Sequence, residues 1–199
     1  MRVSAVILAA GKSSRFGGGR DKLLAEWRGR TLIEHVLAAA INAKLAGVVT
    51  EIIVVAADDA PRVKSIAIAD SCRVVHPTAP EAGISASLRA AVAALAPGAD
   101  GAVILLGDQP MVSPAVIAEV IAAAKESPQA LVRAHYRGNA DMLSHPVFIG
   151  RNHFGLVHQT SADQGFQAIA ERHQLKWTEV WVVGHNPDVD FAADLDRLR

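Results

Sequence analysis

Three short apolar runs, VSAVILA (3–9), EIIVVAA (51–57) and GAVILLG (101–107), frame the first half of the chain. Each is rich in Val, Ile and Leu and is followed by a turn signal. Near-continuous apolar runs of this length fit strands buried on both faces of a parallel sheet. Helix-like segments separate them. Residues 31–46 carry Ile33, Val36, Leu37, Ala40, Ile41 and Leu45 at helical spacing, and Thr31 followed by Glu34 has the spacing of a capping box. Residues 84–95 predict a crossover helix with Ser85 and Ser87 in its first turn, Ser85 serving as a plain cap. Residues 114–126 predict another, with Ser113 as cap and Pro114 at the first helical position. CRVV (72–75), ALVRAH (130–135) and KWTEVWVV (176–183) read as further strands. Strand–helix–strand alternation predicts an α/β, Rossmann-like, doubly wound and mostly parallel sheet with helices on both faces.

The second half is less regular. Residues 136–164 hold scattered Gly, His, Asn and Pro around one apolar piece, PVFI (146–149), and read as a substrate-facing excursion. Ser161 and Gln164 predict the start of a helix over 163–172. Residues 184–191 form a turn-rich tail bearing two carboxylates, followed by a short helix. No repeat, low-complexity tract or linker interrupts residues 1–199, so a single domain is expected.

Composition narrows the classes of function. Of the 199 residues, 51% are apolar and 20% charged, as in a soluble globular protein. Twenty basic residues balance twenty acidic ones. That balance argues against a nucleic-acid coat and against a polybasic membrane binder, and leaves room for a local cationic pocket. The lone cysteine, Cys72, forms no internal disulfide and anchors no cysteine zinc site. His153 and His158 lack helical metal spacing, so no zinc is expected. A reducing cytoplasm is the simplest home. The N-terminal apolar run lacks the features of a signal peptide, and no apolar stretch reaches the ~20 residues of a membrane span. Trp177 and Trp181 read as core or dimer-surface residues.

The stretch AVILAAGKSSRFGGGRDKLL (5–24) carries the first chemistry. An apolar run empties into a loop of Gly, Ser, Arg and Lys, at the strand end where open α/β sheets bind ligands. Gly11 lets the backbone approach a phosphate closely. Ser13 and Ser14 offer hydroxyls, and Arg15 and Lys22 flank Gly17-Gly18-Gly19. Two better-known motifs fail. A P-loop needs glycine where Val6 stands, and a dinucleotide fingerprint needs glycine where Lys22 stands. By itself the loop fits either a triphosphate cradle or a solvated surface loop with chance glycines. Gly107-Asp108-Gln109-Pro110 follows the third run. It reads either as a turn or as a carboxylate that holds Mg²⁺ against phosphate oxygens. Asp188 and Asp190, two apart on an extended tail, point the same way, and read either as turn and cap residues or as part of a metal site.

Leu8-Ala9-Ala10-Gly11, Ser13, Arg15 and Asp21-Lys22-Leu23-Leu24 together resemble the signature of the nucleotidyltransferases that share a GT-A-like Rossmann fold. The chain is most similar to the molybdenum cofactor cytidylyltransferases and their relatives. The resemblance spans nearly the whole chain, strongest in the first loop and at 107–110 and looser after residue 140. It implies a nucleotide-binding half (1–115) and an acceptor-binding half (130–190). It implies that Asp108 ligates Mg²⁺, and that residues 186–194 match a terminal Asp-x-Asp element, with Asp190 as the favoured second ligand. It implies that Gly83-Ile84-Ser85-Ala86-Ser87-Leu88 lies beside base and ribose, with Gly83 and Ser87 in contact. Leu8, Ala9, Ala10 and Gly11 adjoin the same pocket, and Ala-Ala-Gly goes with cytidine users. Ser144-His145-Pro146-Val147 matches an element whose histidine, His145, touches the acceptor. Three positions depart from the pattern. Ser144 and Ala162 stand where glycines are expected, and Gln167 stands where an arginine is expected.

The implied activity is magnesium-dependent transfer of CMP from CTP, or another nucleoside triphosphate, to a phosphorylated acceptor of the molybdopterin type, releasing pyrophosphate. Arg15, Lys22 and Asp108 are the implied catalytic residues. Alternative acceptors are a sugar phosphate, methylerythritol phosphate or phospholactate. A different class of protein, a non-catalytic chaperone delivering a nucleotide-bearing cofactor to a molybdenum hydroxylase, fits the Gln167 departure.

Overall fold

The computed structural model describes residues 1–13, 15–17, 21–79, 82–127, 130–137, 145–162 and 164–198. Ser14, Gly18, Gly19 and Ser144, named above, and residue 163, the expected start of a helix, lie outside the described residues. The apolar runs form the strands β1 (Val3–Ala9), β4 (Glu51–Ala56) and β6 (Gly101–Leu106). With β5 (Arg73–Val75), β7 (Leu131–Tyr136), β8 (Val147–Gly150) and β9 (Trp177–Val182) they build one seven-stranded sheet, ordered β5-β4-β1-β6-β8-β7-β9. Pairs β4–β5, β1–β4, β1–β6 and β7–β9 are parallel, and β8 alone runs antiparallel to its neighbours β6 and β7.

Alternation along each strand divides the core in two. Ala5 and Ile7 of β1 face one cluster with Ile33, Val36 and Leu37 of α1 (Leu32–Leu45) and with Ile117 and Ile121 of α4 (Pro114–Glu126). Val6 and Leu8 face the other cluster with Leu88 of α3 (Ile84–Ala94) and Ile169 of α5 (Phe166–Arg172). Each central strand is therefore covered on both faces, which is why it reads as an unbroken apolar run. The sheet is the predicted α/β doubly wound, mostly parallel one, with helices on both faces. Among the described residues no helix is long and apolar enough to cross a membrane.

Local signals account for the helix ends. In α1 the Thr31 backbone N–H donates to Glu34 at 2.7 Å, completing the capping box. In α4 the Ser113 hydroxyl accepts from Val116 N at 3.2 Å. Other expectations need correction. Leu45 ends α1 and stands in solvent, 80% exposed, so the apolar stripe stops before it. Ser85 does not cap α3. Gly83 holds that place at φ 67°, ψ −151°, a conformation reserved for glycine, and the Ser85 hydroxyl donates to Ala82 O at 2.8 Å. The helix expected over 163–172 begins at Phe166 with Gly165 as its cap. Ser161 and Gln164 meet side chain to side chain at 3.3 Å, so no backbone donor is capped.

Three elements go unannounced by the apolar pattern. Helix α2 (Pro61–Ala69) buries only Val63 and Ala67. A hairpin joins β2 (Glu26–Trp27) to β3 (Arg30–Thr31) through Arg28 and Gly29, both at positive φ. Two left-handed residues in a row give the turn whose twist matches its strands. Arg151–Gln159 forms a 3-10 segment inside the irregular stretch.

Strand order reverses at β1. The chain passes from β1 to β4 and β5 on one side, then returns to place β6 on the other. Ligands of open α/β sheets collect at that crevice, beyond the carboxyl ends of the strands. Close packing holds β6 there. A side chain at Gly101 would run into the ring of the fully buried Phe148 and meet Ile149 O at 3.0 Å. Gly101→Ala is expected to overpack the sheet by about 2 kcal/mol. Calorimetric unfolding should then show Tm lowered by roughly 4–8 °C.

Candidate active site

The carboxyl ends of β1 and β6 open onto a cleft of about 480 Å³. Its floor is Leu8, Ala9 and Leu106, and one wall is Ala10, Gly11, Lys12, Ser13 and Arg15 of the first loop. Gly83, Ile84 and Ser87 at the start of α3 form the other wall. Lys22, Asp108 and Asp190 close it. The residues expected on the nucleotide side thus share one cavity: Leu8, Ala9, Ala10, Gly11, Ser13, Arg15, Lys22, Gly83, Ser87 and Asp108.

The centre of the cleft is an ion-pair cluster. Lys22 Nζ lies 2.5 Å from Asp108 Oδ2 and 2.9 Å from Asp190 Oδ1. Arg15 Nη1 reaches the other oxygen of Asp190 at 2.8 Å. Lys22 is held above its ordinary pKa. Burial pulls it down, but the charges and hydrogen bonds of Asp108 and Asp190 outweigh that pull. Asp190 is held below the usual carboxylate range, first by the hydrogen bond from Lys22, against burial, then by the charges of Lys22 and Arg15.

The loop that delivers Lys22 is closed from within. Ser13 sits at φ 49°. Its hydroxyl donates to Asp21 Oδ1 at 3.2 Å and accepts from Lys22 N at 3.1 Å. Asp21 also accepts from Leu23 N at 3.0 Å, capping a short 3-10 turn, Lys22–Leu24. The Ser13 hydroxyl, expected as a phosphate donor, therefore serves the loop, and Asp21 is its partner. On the other side, Gly107 N–H donates to Leu8 O at 2.9 Å, tying the Asp108 turn to the end of β1.

The C-terminal segment completes the cluster. Val189 N–H donates to Asp108 O at 3.0 Å, and the Val189 side chain is buried with Leu32 and Leu198. Asp188 accepts from Gln109 Nε2 at 2.8 Å. Its pKa is raised by burial first and then by the charge of Asp108. Gln109 in turn accepts from the buried Asn186 Nδ2 at 3.1 Å. Sequence reasoning missed Gln109 and Asn186 as a linked pair, since neither titrates, and missed Lys12 and Leu106 in the lining of the cleft. Their only signal was their position beside motif residues.

Among the described residues no three His, Cys, Asp or Glu side chains are grouped to hold a metal ion. Two hard carboxylate oxygens do converge on one cation, Lys22 Nζ, from Asp108 and Asp190. One or two carboxylates completed by substrate phosphates is the donor set that suits Mg²⁺, so this pair fits the ion.

A family model described as a MobA-like NTP transferase domain matches residues 5–193. The chain belongs to this family. It is therefore a nucleotidyltransferase by family. It is 35% identical over 133 residues to the 2-C-methyl-D-erythritol 4-phosphate cytidylyltransferase of Cereibacter sphaeroides, covering 65% of this chain and 57% of that protein. It is 35% identical over 111 residues to the bifunctional protein GlmU of Rhodopseudomonas palustris, covering 54% of this chain and 23% of that protein. The chain thus spans under two thirds of the length of these curated relatives. Among solved structures, Rv0371c from Mycobacterium tuberculosis H37Rv superposes with a TM-score of 0.82 at 30% identity, covering 100% of this chain and 98% of that one. A complex of Rv0371c with manganese has been solved as well, with a TM-score of 0.81 at 28% identity.

The residues expected on the acceptor side stand apart. His145 is not among the cleft walls, though it feels the charge of Asp108. Gln167 Nε2 donates to Glu171 Oε1 at 2.7 Å along α5. Ala162, where the resemblance implies a glycine, has φ 49°, a left-handed conformation that glycine adopts without strain. Its carbonyl accepts from Ser85 N at 3.2 Å, so the strained residue anchors the start of α3.

The His145 imidazole is pushed down to about 4, by burial first and against the pull of Asp108. A depressed pKa means that the unfolded chain binds the extra proton first as pH falls. Its contribution to stability is complete above the unfolded value of about 6.5 and fades as pH drops toward about 4. Urea midpoints measured between pH 4 and pH 7 should rise with pH in the wild type. His145→Gln should flatten that slope.

Proposed function

We propose that the chain transfers CMP from CTP to a phosphorylated small-molecule acceptor of the molybdopterin type, with Mg²⁺, releasing pyrophosphate. The observation that carries this reading is the convergence of Lys22, Arg15, Asp108 and Asp190 at the mouth of one cleft. The acceptor's phosphate oxygen attacks the α-phosphorus in line, the new P–O bond forms as the α–β bridging bond breaks, and the electron pair leaves on pyrophosphate. Positioning and charge stabilisation carry such a step, and no protein nucleophile is required.

Each residue has a part that its placement supports. The backbone of the first loop around Gly11 faces the cleft and offers N–H donors to the β- and γ-phosphates. Arg15, at the outer rim, neutralises the leaving pyrophosphate. Lys22 meets the α-phosphate, where charge grows in the transition state. Asp108 and Asp190 would hold Mg²⁺, which would supply Lewis-acid neutralisation of the phosphate oxygens. Gly83 and Ser87 flank the base and ribose. CTP is favoured by Ala9-Ala10-Gly11 and by the cytidylyltransferase relative. The acceptor belongs to the 130–190 half, with His145 as its contact residue.

One observation favours a second acceptor class. Gln167 stands where a bidentate arginine is expected and is bonded to Glu171, and an arginine fork is not replaced by an amide. A sugar phosphate, methylerythritol phosphate or phospholactate would make different demands at that position. The chaperone reading, with a molybdenum hydroxylase as partner, rests on the same departure, and the retained Lys22–Asp108–Asp190 cluster weighs against it. Pyrophosphate release, followed over a panel of nucleoside triphosphates and acceptors, separates all three. CTP binding with no release for any acceptor selects the chaperone.

Lys22→Ala is expected to lower kcat by about 10²–10⁴-fold with a change in CTP affinity of less than about tenfold, because its interaction strengthens toward the transition state. Asp108→Ala is expected to abolish the magnesium-dependent part of CTP binding in calorimetric titration. Unchanged turnover in the first variant removes Lys22 from the reaction. Undiminished binding in the second moves the metal elsewhere.

A further inference from the structure

The Asp108–Asp190 pair joins segments far apart in sequence, and residues 184–191 belong to no helix or strand. Something must hold that segment in one register. The Val189 side chain sets its depth, buried with Leu32 and Leu198, but an apolar contact is non-directional. Direction comes from hydrogen bonds at the turn after β6: Val189 N–H donates to Asp108 O at 3.0 Å, which ties one backbone point, and the side chain of the next residue, Gln109, grips the tail at Asn186 and Asp188. The Gln109 side chain is 4% exposed. Its Oε1 accepts from Asn186 Nδ2 at 3.1 Å, and its Nε2 donates to Asp188 Oδ1 at 2.8 Å. One planar group accepts from one residue of the tail and donates to another two positions on. A primary amide does both without depending on its protonation state. Neither Gln109 nor Asp188 lines the cleft.

We propose that Gln109 is a positioning residue: its amide fixes the register of residues 186–190 against the end of β6 and thereby sets Asp190 opposite Asp108. This rests on the reading of those two carboxylates as the divalent-cation pair. Gln109 acts through the spacing of others, so its loss weakens the ion's hold while the fold persists.

The polarity of the bond supplies a specific test. Gln109→Met keeps the volume and the net charge and severs both hydrogen bonds. The double variant Gln109→Glu with Asp188→Asn also keeps the net charge, and restores both bonds with donor and acceptor exchanged at position 188. Binding of Mn²⁺ alone, and of Mn²⁺ with CTP, is read on the full chain from the electron paramagnetic resonance signal of the unbound ion. Thermal unfolding is followed in parallel. Gln109→Met is expected to weaken Mn²⁺ binding about tenfold, as loss of partners that orient metal ligands does. The double variant should return to within about threefold of the wild type, as its bonds are again charge-assisted.

Wild-type Mn²⁺ affinity in Gln109→Met overturns the proposal. So does a double variant that folds like the wild type yet binds Mn²⁺ as weakly as Gln109→Met. If Gln109→Met does not fold, Gln109→Glu carries the comparison. Its added charge alone would tighten metal binding, so weaker binding that Asp188→Asn repairs reports geometry, and tighter binding overturns the proposal. Asp190→Asn keeps the two readings distinct. A Mn²⁺ site lost in Asp190→Asn but untouched at Gln109 overturns this proposal alone. Binding that is indifferent to Asp190 overturns the cation-pair reading and this proposal with it.

Discussion

A lysine side chain that is only 12% exposed, set between two carboxylates, is the point on which the cleft closes. An ammonium taken out of water needs compensating charge, and carboxylates drawn together need a cation between them. Asp108 comes from the turn after β6, Asp190 from the C-terminal segment and Lys22 from the first loop, so the cluster joins three parts of the chain. The same arrangement makes the site responsive. A triphosphate offers Lys22 and Arg15 a stronger anion than Asp190, and a divalent cation offers the two aspartates a stronger partner than an ammonium. The groups that hold the cluster together are therefore those that a metal–nucleotide complex would engage.

The frame around this cluster is rigid where the loops are not regular. Strands β1 and β6 pair from Val3–Gly101 to Leu8–Leu106, and the next residue, Gly107, still donates to Leu8 O. The ladder delivers Asp108 at a fixed height above the sheet. The surrounding loops accept left-handed residues instead: Ser13 at φ 49° in the first loop, Gly83 at φ 67° before α3, Ala162 at φ 49° beside it. Strain at non-glycine positions persists only where neighbouring bonds enforce it. For Ser13 those bonds are to Asp21 and Lys22, and for Ala162 the bond from Ser85.

How much of this was legible in the sequence follows from what kind of signal each part leaves. Central strands leave a composition signal, because burial on both faces excludes polar residues, and β1, β4 and β6 were readable to within a residue. Helices α1 and α4 leave caps, Thr31 with Glu34 and Ser113 with Pro114. Helix α2 buries two side chains and so leaves almost no periodicity. Arg28-Gly29 is a weaker turn signal than Asn-Gly, which hid the hairpin. At the site, charged residues in a glycine-rich loop were visible, but their mutual engagement was not. Ser13 looked like a phosphate donor because its hydroxyl is polar, and nothing in the sequence says that Asp21 takes the proton it offers. Gln109 and Asn186 lie 77 positions apart, and their bond exists only after the tail has folded back.

The residues expected on the nucleotide side and those expected on the acceptor side are held in different ways, and the difference is chemical. A triphosphate is the same polyanion whatever base it carries, so cations and close backbone approach suit it in every case. Away from the cleft stand an amide at 167 that bonds to Glu171 along its own helix, and an alanine at 162 that holds a conformation glycine would take without strain. Both positions are satisfied within the fold: the Gln167 amide finds its partner four residues away, and Ala162 O accepts from Ser85 N. A side chain bonded within its own helix gives up that bond to hold a ligand, so at this position an anion must compete with Glu171, whereas on the nucleotide side it would displace Asp190 from cations already aimed into the cleft. As folded, position 167 therefore presents an amide already engaged with Glu171, where the pattern the chain resembles implies a free arginine fork.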